Sequence, residues 1–429
     1  MKNKNGIIAL SPLIVFILLY LVTSIIAQDF YKVPISVAFL ISGIYAIMSS
    51  PHGSLSERIR TFSRGASTEN IMLMIWIFML AGAFANTAKD IGCVDATVNL
   101  MLSVLPDNMI LAGLFISTCF ISLSIGTSVG AIVALAPIAI GLAQTTGTNM
   151  PMMLAIIVGG AFFGDNLSFI SDTTVAATSS QECSMKDKFK MNSYIVFPVA
   201  FIILILYVFL GFNIKTPTDI PQVEFSKILP YLAVFITALM GVNVIIVLTI
   251  GLILTAIIGI INGSYDIIFG WFTSMGVGLQ SMSELIIITM IAGGLFEIVC
   301  KNGGIEYIIS KISSHIHSKR GAELVIGIMV ATVNICTANN TVAIITVGGI
   351  ARTISLKYGV DNRKAASILD TFSCCIQGII PYGAQILTVA NLSKTNPIDI
   401  MPYLYYPYAL GLFTLLCIYF GFPASHYKK

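Results

Sequence analysis

Charged residues are scarce in this sequence. Only 10% of its 429 residues are Asp, Glu, Lys or Arg, whereas 56% are hydrophobic. A water-soluble domain carries about 25% charged residues, which help to cover its surface. The composition therefore excludes a soluble globular protein. The net charge is only +3 and is not gathered into a basic arm, so we expect no nucleic-acid partner.

Motifs for metal binding and covalent chemistry are also missing. The four histidines fall in predicted loops or in the C-terminal tail, and the eight cysteines form no Cys-x-x-Cys pair. A metal site needs such ligands at a fixed spacing, and a hydrolase needs a constellation such as Ser-His-Asp. We therefore predict that the protein is not an enzyme and has no resident cofactor.

Long apolar runs are what the sequence does contain. A run of about 20 apolar residues can cross a bilayer as a helix, at about 1.5 Å per residue. The sequence therefore predicts an all-α polytopic membrane protein that is embedded in lipid. The predicted apolar stretches are 7–26, 34–49, 71–88, 109–145, 151–180 and 194–212 in the first half, and 228–241, 244–262, 284–300, 323–352, 365–390 and 402–421 in the second.

Two of these stretches, 109–145 and 323–352, are too long for one crossing and contain a short polar run. We predict that each is a re-entrant hairpin, which enters and leaves on the same side. Five crossings then remain in each half, and both termini lie in the cytoplasm. This arrangement puts 18 of the 23 Lys and Arg residues in cytoplasmic segments, including loops around residues 58–64, 186–190 and 352–364. Such a bias marks the cytoplasmic face, so we predict a multi-pass protein of the plasma (inner) membrane.

The two halves of the sequence are related at a shift of about 212 residues. For example, Ala131-Ile132 corresponds to Ala343-Ile344, and Gly147 corresponds to Gly359. Because each half has an odd number of crossings, the second half starts on the opposite side of the membrane from the first. We predict a first inverted repeat over 1–213, a periplasmic linker over 214–227 and a second inverted repeat over 228–429. Inverted repeats are typical of carriers that work by alternating access.

Polar residues interrupt both predicted hairpins. Irregular backbone at membrane depth is tolerated only where it lines a cavity or is buried in protein, so these tips mark a candidate site. Their hydroxyl and amide oxygens are hard neutral ligands that suit an alkali cation. Alternatively, the Ser and Thr residues bond back to their own helices. The candidates are Ser124, Thr127 and Ser128 in the first hairpin, and Asn334, Thr337, Asn339, Asn340 and Thr341 in the second.

The crossing that follows each hairpin is broken as well. Residues 164–174 read GDNLSFISDTT and place Asp165 and Asp172 inside one span. Each buried carboxylate costs about 2.5–3.5 kcal/mol on insertion scales, so we expect it to be paired, ion-bound or proton-carrying; the alternative is a helix cap. At the shift of 212 the corresponding residues are Gln377 and Ala384, which are not acids. The candidates in the two crossings are Asp165, Asn166, Ser168, Ser171, Asp172, Thr173, Asp370 and Gln377.

The segment 164–174 resembles the NhaC family of sodium/proton antiporters, whose members carry a similar Gly-Asp-x-x-Ser-x-x-Ser-Asp-Thr-Thr run. The tip that contains Gly126, Thr127 and Ser128 is similar to the family's other polar motif. The resemblance implies membership of the wider ion-transporter superfamily, in which a scaffold domain supports a moving transport domain with two hairpins. The family often has Lys at the position of Asn166. The resemblance therefore implies that this chain lacks a basic group beside its acids, and we expect no Lys or Arg in the cavity segments.

These observations predict a sodium-coupled secondary transporter that works by alternating access, with Na⁺/H⁺ exchange as the leading function. Sodium and protons are then its cargo. The alternative is Na⁺-coupled symport or exchange of an amino acid or a small carboxylate. The oligomeric state stays open, and a homodimer is one arrangement that the sequence allows. The proton carrier is expected to be Asp165 or Asp172, with Asp370 third, and Na⁺ is expected to bind Thr127, Ser128, Asp165, Asn339 and Asn340.

Overall fold

A computed structural model of the chain describes residues 2–27, 34–168, 171–215, 221–240, 242–265, 268–313, 316 and 318–423. The described residues form helices joined by short connections, and no strand occurs among them. Within these residues, seven helices are long and apolar enough to cross a membrane, or nine if each of two bent helix pairs is one span. The predicted all-α polytopic membrane protein is therefore confirmed.

The first half of the chain contains ten helices. They are α1 (Lys2–Ala27), α2 (Ile35–Ser49), α3 (Leu55–Ala66), α4 (Glu69–Asp90), α5 (Cys93–Val104), α6 (Ile110–Ile125), α7 (Ser128–Thr146), α8 (Met150–Leu167), α9 (Asp172–Gln181) and α10 (Met185–Gly211).

The second half adds eleven helices, of which α20 is a single turn. They are α11 (Phe225–Leu239), α12 (Val244–Ile261), α13 (Ile268–Ser281), α14 (Ser283–Lys301), α15 (Gly304–Ser313), α16 (Lys319–Thr337), α17 (Asn340–Tyr358), α18 (Asn362–Gln377), α19 (Ala384–Ser393), α20 (Pro397–Ile400) and α21 (Tyr405–Phe420).

Four short helices, α3, α5, α13 and α15, lie between the predicted stretches. A hydropathy window finds long apolar runs and passes over helices that are short or polar on one face. The predicted loop at 58–64 is part of α3, which starts with a capping box formed by Ser54 and Glu57. The predicted loop at 186–190 is the beginning of α10, and in the segment 352–364 only residues 359–361 lie outside helices. The three loop assignments were therefore wrong in their local structure.

The first predicted hairpin is formed by α6 and α7. Helix α6 runs alongside α8 in the same direction, because the Ser122 hydroxyl donates to the Ala161 carbonyl at 2.6 Å and the Ser168 hydroxyl donates to the Leu123 carbonyl at 3.0 Å. Helix α7 returns along α8, since only three residues separate the end of α7 from the start of α8. Helices α6 and α7 are therefore antiparallel. Gly126 ends α6 with φ +76°, a left-handed conformation that suits glycine.

The second predicted hairpin, α16 and α17, is built in the same way. The Glu323–Lys364 ion pair at 2.8 Å and the hydrogen bond from the Asn334 amide to the Ser373 carbonyl at 2.7 Å align α16 with α18. Helix α17 returns along α18 and joins it through three residues. Both stretches therefore form helical hairpins, as predicted.

The crossings after the hairpins are interrupted where the sequence predicted. Helix α8 ends at Leu167 and α9 begins at Asp172, while α18 ends at Gln377 and α19 begins at Ala384. Helices α17, α18 and α19 each begin 212 residues after α7, α8 and α9. The order of hairpin, break and helix is therefore the same in both halves.

Contacts between the halves come in reciprocal pairs. Helix α3 crosses α14 where Gly65 faces Gly293, and α4 crosses α13 where Gly82 faces Gly278. Closer to the breaks, α7 contacts α19 and α9 contacts α17. Helices α3 and α4 of the first half thus pack on α14 and α13 of the second half, and α7 and α9 pack on α19 and α17. The two halves are therefore interlocked rather than adjacent.

The connections gather at two ends of the helical bundle. At one end Arg352 pairs with Glu182 at 2.7 Å, and Lys301 donates to the Thr61 hydroxyl at 2.8 Å. At the other end Ser274 donates to Asp90 at 2.6 Å, and the Asn149 amide donates to the Tyr403 hydroxyl at 3.2 Å. Each of these contacts joins segments that the charge pattern assigned to the same side of the membrane.

The close crossing of α4 and α13 predicts that two glycines of α13 differ in their tolerance of alanine. A Cβ at Gly278 would overlap the backbone of Gly82, whereas a Cβ at Gly276 meets nothing within 4 Å. Gly278→Ala should therefore lower the thermal-unfolding midpoint in detergent, because overpacking costs about 1–3 kcal/mol. Gly276→Ala should leave the midpoint unchanged or raise it, since alanine favours helix by about 1 kcal/mol. Equal midpoints for the two variants would contradict this packing.

Candidate functional site

Both hairpin tips and both helix breaks open onto one cavity of about 350 Å³. These four features are far apart in the sequence, and the structure brings them together. The predicted residues that line the cavity are Thr127, Ser128, Asp165, Ser171, Asp172, Thr173, Asn339, Asn340, Thr341 and Gln377. Ten of the sixteen candidate residues therefore share one polar space.

The wall opposite the tips is largely apolar. It is formed by Leu73, Met74 and Ile77 of α4 and by Asn243 and Val244 at the start of α12. These residues come from helices without a polar break. The cavity therefore lies between a polar face made of the tips and breaks and an apolar face made of other helices.

Asp165 lies where the first tip meets the first break. It is in the last turn of α8 with a side chain only 3% exposed. The side chain and the backbone N–H of Ser128 face its carboxyl group, and the Ser171 hydroxyl lies 3.4 Å from its Oδ1. The N–H of Ser128 belongs to the first turn of α7, where unpaired amide groups favour a negative charge. Asp165 therefore faces the start of a neighbouring helix.

A chain of hydrogen bonds connects the second tip to Asp165. The Gln377 amide donates to the Ala338 carbonyl and to Gln385 Oε1, each at 2.9 Å. The Gln385 amide in turn donates to the Ser128 hydroxyl at 3.0 Å, and Ser128 faces Asp165. The two tips are therefore coupled through side chains.

Sequence reasoning did not select Gln385 for the site. It occupies the position that corresponds to Thr173 at the shift of 212 residues. The repeat register was therefore the signal that could have found it.

The amides of the second tip also shape its backbone. Asn339 Oδ1 accepts from the Val342 N–H at 3.1 Å and so caps α17, while Asn340 Oδ1 accepts from the Thr341 N–H at 3.1 Å. An amide oxygen has two lone pairs, so each retains one for another partner. Thr337 bonds to the backbone of Asn339 and lines a smaller cavity of about 140 Å³.

Asp172 has a different environment from Asp165. It is the first residue of α9 and is exposed to the cavity. The first residues of α7, α9, α17 and α19 all line this space. Because a helix N-terminus carries a partial positive charge, four such ends favour anions, and the two aspartates offset them. These two are the only charged side chains among the described residues that line the cavity.

Asp370 lies behind the cavity and is paired with a lysine. Its carboxylate is 2.9 Å from the Lys188 ammonium, and the two side chains are 0% and 1% exposed. The expectation that no basic group lies beside the acids was therefore wrong for Asp370, although no Lys or Arg is among the described residues that line the cavity. Lys188 is also buried, whereas the charge pattern placed it in a cytoplasmic loop. Lysine can extend its apolar stem inward when a buried acid compensates its charge. The signal in the sequence was Asn192, one helical turn beyond Lys188, which also donates to Asp370, at 2.7 Å.

The remaining candidates brace the polar breaks. The Asn166 amide donates to the Phe162 carbonyl at 2.6 Å, Ser168 bonds to the first hairpin, and Asn334 ties the second hairpin to α18. None of these three lines the cavity. The side chain of Ser124 lies outside the described residues.

A polar cavity enclosed by hairpin tips and broken helices within an apolar helical bundle is the arrangement of a membrane transport protein. The model of the Na⁺/H⁺ antiporter family matches residues 5–212 and 214–424. The chain therefore belongs to the Na⁺/H⁺ antiporter family, and the resemblance to NhaC proteins is confirmed.

Two curated relatives come from Bacillus subtilis (strain 168). The chain is 24% identical over 354 residues to the Na⁺/H⁺ antiporter NhaC, and the alignment covers 75% of this chain and 78% of the relative. It is 23% identical over 420 residues to a malate-2H⁺/Na⁺-lactate antiporter, with 89% of each chain covered. Among solved structures, the Alcanivorax borkumensis YdaH transporter covers 85% of this chain and 88% of its own, with a TM-score of 0.44 at 13% identity.

Proposed function

We propose that this protein exchanges Na⁺ for H⁺ at Asp165 by alternating access. The observation that carries the proposal is a buried carboxyl group that lines the polar cavity and faces Ser128 of the first tip, the residue at which the chain of amides from the second tip ends. A single carboxylate can hold a proton or a sodium ion but not both at once. Competition for this group would couple the two flows.

The sodium ligands that we propose are oxygen atoms on both tips. They are the hydroxyls of Thr127 and Ser128, the carboxylate of Asp165 and the amide oxygens of Asn339 and Asn340, all of which line the cavity. Neutral oxygens with one carboxylate leave a bound Na⁺ electrically balanced. Because the two tips belong to different hairpins, a movement of either hairpin would change the site.

The three candidate acids have separate roles in this proposal. Asp165 is the exchange group. Asp172, exposed at the cavity surface, attracts cations into the cavity. Asp370 is compensated by Lys188 and does not exchange.

We also propose that residues 1–213 and 228–429 are inverted repeats joined by a periplasmic linker at 214–227, of which residues 216–220 lie outside the described part of the chain. Two observations support this relation. Three helices of the second half begin 212 residues after three helices of the first, and the halves make reciprocal contacts. The family match is divided at the same place, at residue 213. Repeats of this kind permit two pseudo-equivalent states that open the site to opposite sides.

The second candidate function is exchange of a small organic acid with Na⁺ or H⁺. It is favoured by the cavity volume of about 350 Å³, which exceeds what a bare cation needs, and by the four helix N-termini that line the cavity. One relative is named as a malate-2H⁺/Na⁺-lactate antiporter. The two acids in the lining disfavour this candidate, because they would repel an organic anion.

A proteoliposome assay separates the two candidates. A Na⁺ gradient is imposed while the internal pH is followed, with and without a panel of amino acids and small carboxylic acids. For cation exchange we expect a Na⁺-dependent pH change in the absence of any organic solute. A pH change that requires one of the solutes, together with uptake of that solute, would select the second candidate.

Asparagine variants of the two cavity acids test the exchange group. Asp165→Asn keeps the shape and the hydrogen bonds but cannot carry a charge, so it should abolish Na⁺-dependent proton movement while the protein stays folded in detergent. Asp172→Asn should keep exchange and raise the Na⁺ concentration for half-maximal rate by about two- to fivefold, since one exposed charge contributes about 0.4–1 kcal/mol. Exchange at a normal rate in Asp165→Asn would remove this residue from the mechanism.

We propose that the end with Glu182 and Arg352 faces the cytoplasm, together with both chain termini; residues 1 and 424–429 lie outside the described residues. Arg60, Lys186 and Lys357 are exposed near this end, and Lys89 is exposed at the other. In a cysteine-free background, cysteine at the first three positions should not react with an impermeant maleimide added to intact cells, whereas Lys89→Cys should react. Reaction at Arg60→Cys, Lys186→Cys or Lys357→Cys in intact cells would reverse or rearrange the topology.

A further inference from the structure

The ammonium group of Lys188 is surrounded by three oxygen atoms inside the bundle. Its Nζ lies 2.9 Å from Asp370 Oδ2, 2.8 Å from the Asn166 carbonyl oxygen and 2.7 Å from the Thr174 hydroxyl oxygen. An ammonium group has three hydrogens, and each has an acceptor here. Lys188 is therefore fully coordinated although its side chain is only 1% exposed.

These three oxygens form the kind of site that binds a small cation. The Asn166 carbonyl is among the last in α8, where carbonyl groups lack helical partners and carry a partial negative charge. The same carbonyl also accepts from the Asn192 amide at 2.7 Å. A carboxylate, a carbonyl and a hydroxyl are typical oxygen ligands of hard cations. The Lys188 ammonium thus occupies a position that would otherwise attract a metal cation.

The lysine site is coupled to the cavity through Asp165. Thr174 accepts from Lys188 and lies 3.5 Å from the Asp165 carbonyl oxygen, to which it donates. Asp370 and Asp165 are therefore linked through Lys188 and Thr174. The charge on Lys188 therefore affects how strongly Asp165 attracts a cation.

The buried charges leave room for one transported cation. Asp165 and Asp370 contribute two negative charges when ionised, and Lys188 contributes one positive charge. One further monovalent cation makes the group neutral, whether that cation is Na⁺ or H⁺. Without Lys188, two cations would be needed.

We propose that Lys188 is a resident cation, which permanently fills a second cation site made by Asp370, Asn166 and Thr174 and so limits the protein to one exchanged Na⁺ per cycle. The inference rests on the proposed exchange at Asp165. It assigns a role to the Lys188–Asp370 pair, which lies behind the cavity and has no part in binding Na⁺ directly. The site exists in full only because α8, α9, α10 and α18 meet there.

Equilibrium binding of radioactive Na⁺ to the purified full-length protein tests this role. The wild type should bind one Na⁺ per chain. Lys188→Ala removes the ammonium and leaves space beside Asp370, so it should bind two. The double variant Lys188→Ala/Asp370→Asn removes the extra carboxylate as well and should return to one. A single Na⁺ in Lys188→Ala, with a lower unfolding midpoint, would show that the lysine is only a structural brace.

A matched control is the other buried ion pair, Lys364 with Glu323, which joins α18 to α16 away from the cavity. Lys364→Ala should leave the number of bound Na⁺ at one. A second Na⁺ in this variant would show that loss of any buried lysine creates cation binding, and the inference would be wrong. The number of bound Na⁺ ions does not depend on transport. If the wild type binds no Na⁺ and Lys188→Ala binds one, Lys188 acts as the resident cation, but exchange at Asp165 is rejected.

Asp370→Asn supplies an independent test if Lys188→Ala does not fold. It leaves the ammonium uncompensated near Asp165, so the Na⁺ concentration for half-saturation should rise by about tenfold, the order expected of one unbalanced charge in a protein interior. A Na⁺ affinity within about twofold of the wild type would contradict the proposal. Lys188→Arg should retain a single Na⁺, because it keeps the charge.

Discussion

The constraint on which this structure depends is that hydrocarbon offers no hydrogen bonds to a broken backbone. The chain interrupts its helices at two hairpin tips and two crossings, and every interruption must be shielded from lipid. Packing the four interruptions against one another satisfies this requirement, because each supplies polar groups to the next. The cavity follows from the same packing, since four irregular segments cannot fill the space that they enclose.

The three aspartates at and behind the cavity have different surroundings. Asp370 faces an ammonium group and an amide, which compensate its charge within the protein. Asp165 faces hydroxyl groups and a helix N-terminus, which stabilise a negative charge without cancelling it. Asp172 remains exposed to the cavity. One residue type thus occurs in a buried ion pair, as a buried carboxyl group and as a carboxyl group exposed to the cavity.

The two halves share a scaffold but differ in chemistry. The position of Asp165 in the first half is occupied by Gln377 in the second, and both side chains reach toward a hairpin tip. An amide at this position extends hydrogen bonds without adding charge, so the second half relays contacts to the first through Gln385. The two hairpin tips are built alike, while the residues that differ between the halves leave the negative charge beside only one of them.

The sequence by itself determined the class of protein, both helical hairpins, both breaks and half of the residues that line the cavity, because apolar length and polar interruption are local properties. Its resemblance to NhaC proteins was likewise carried by two short motifs, at residues 126–128 and 164–174. Only the tertiary structure decided that Lys188 points inward, that Gln385 joins the tips and that Asp370 lies behind the cavity. The direction of a long side chain depends on the free energy of its burial, which is set by acceptors from segments distant in the sequence. Charge counting along the chain assigned Lys188 to the cytoplasm because it cannot detect a buried partner.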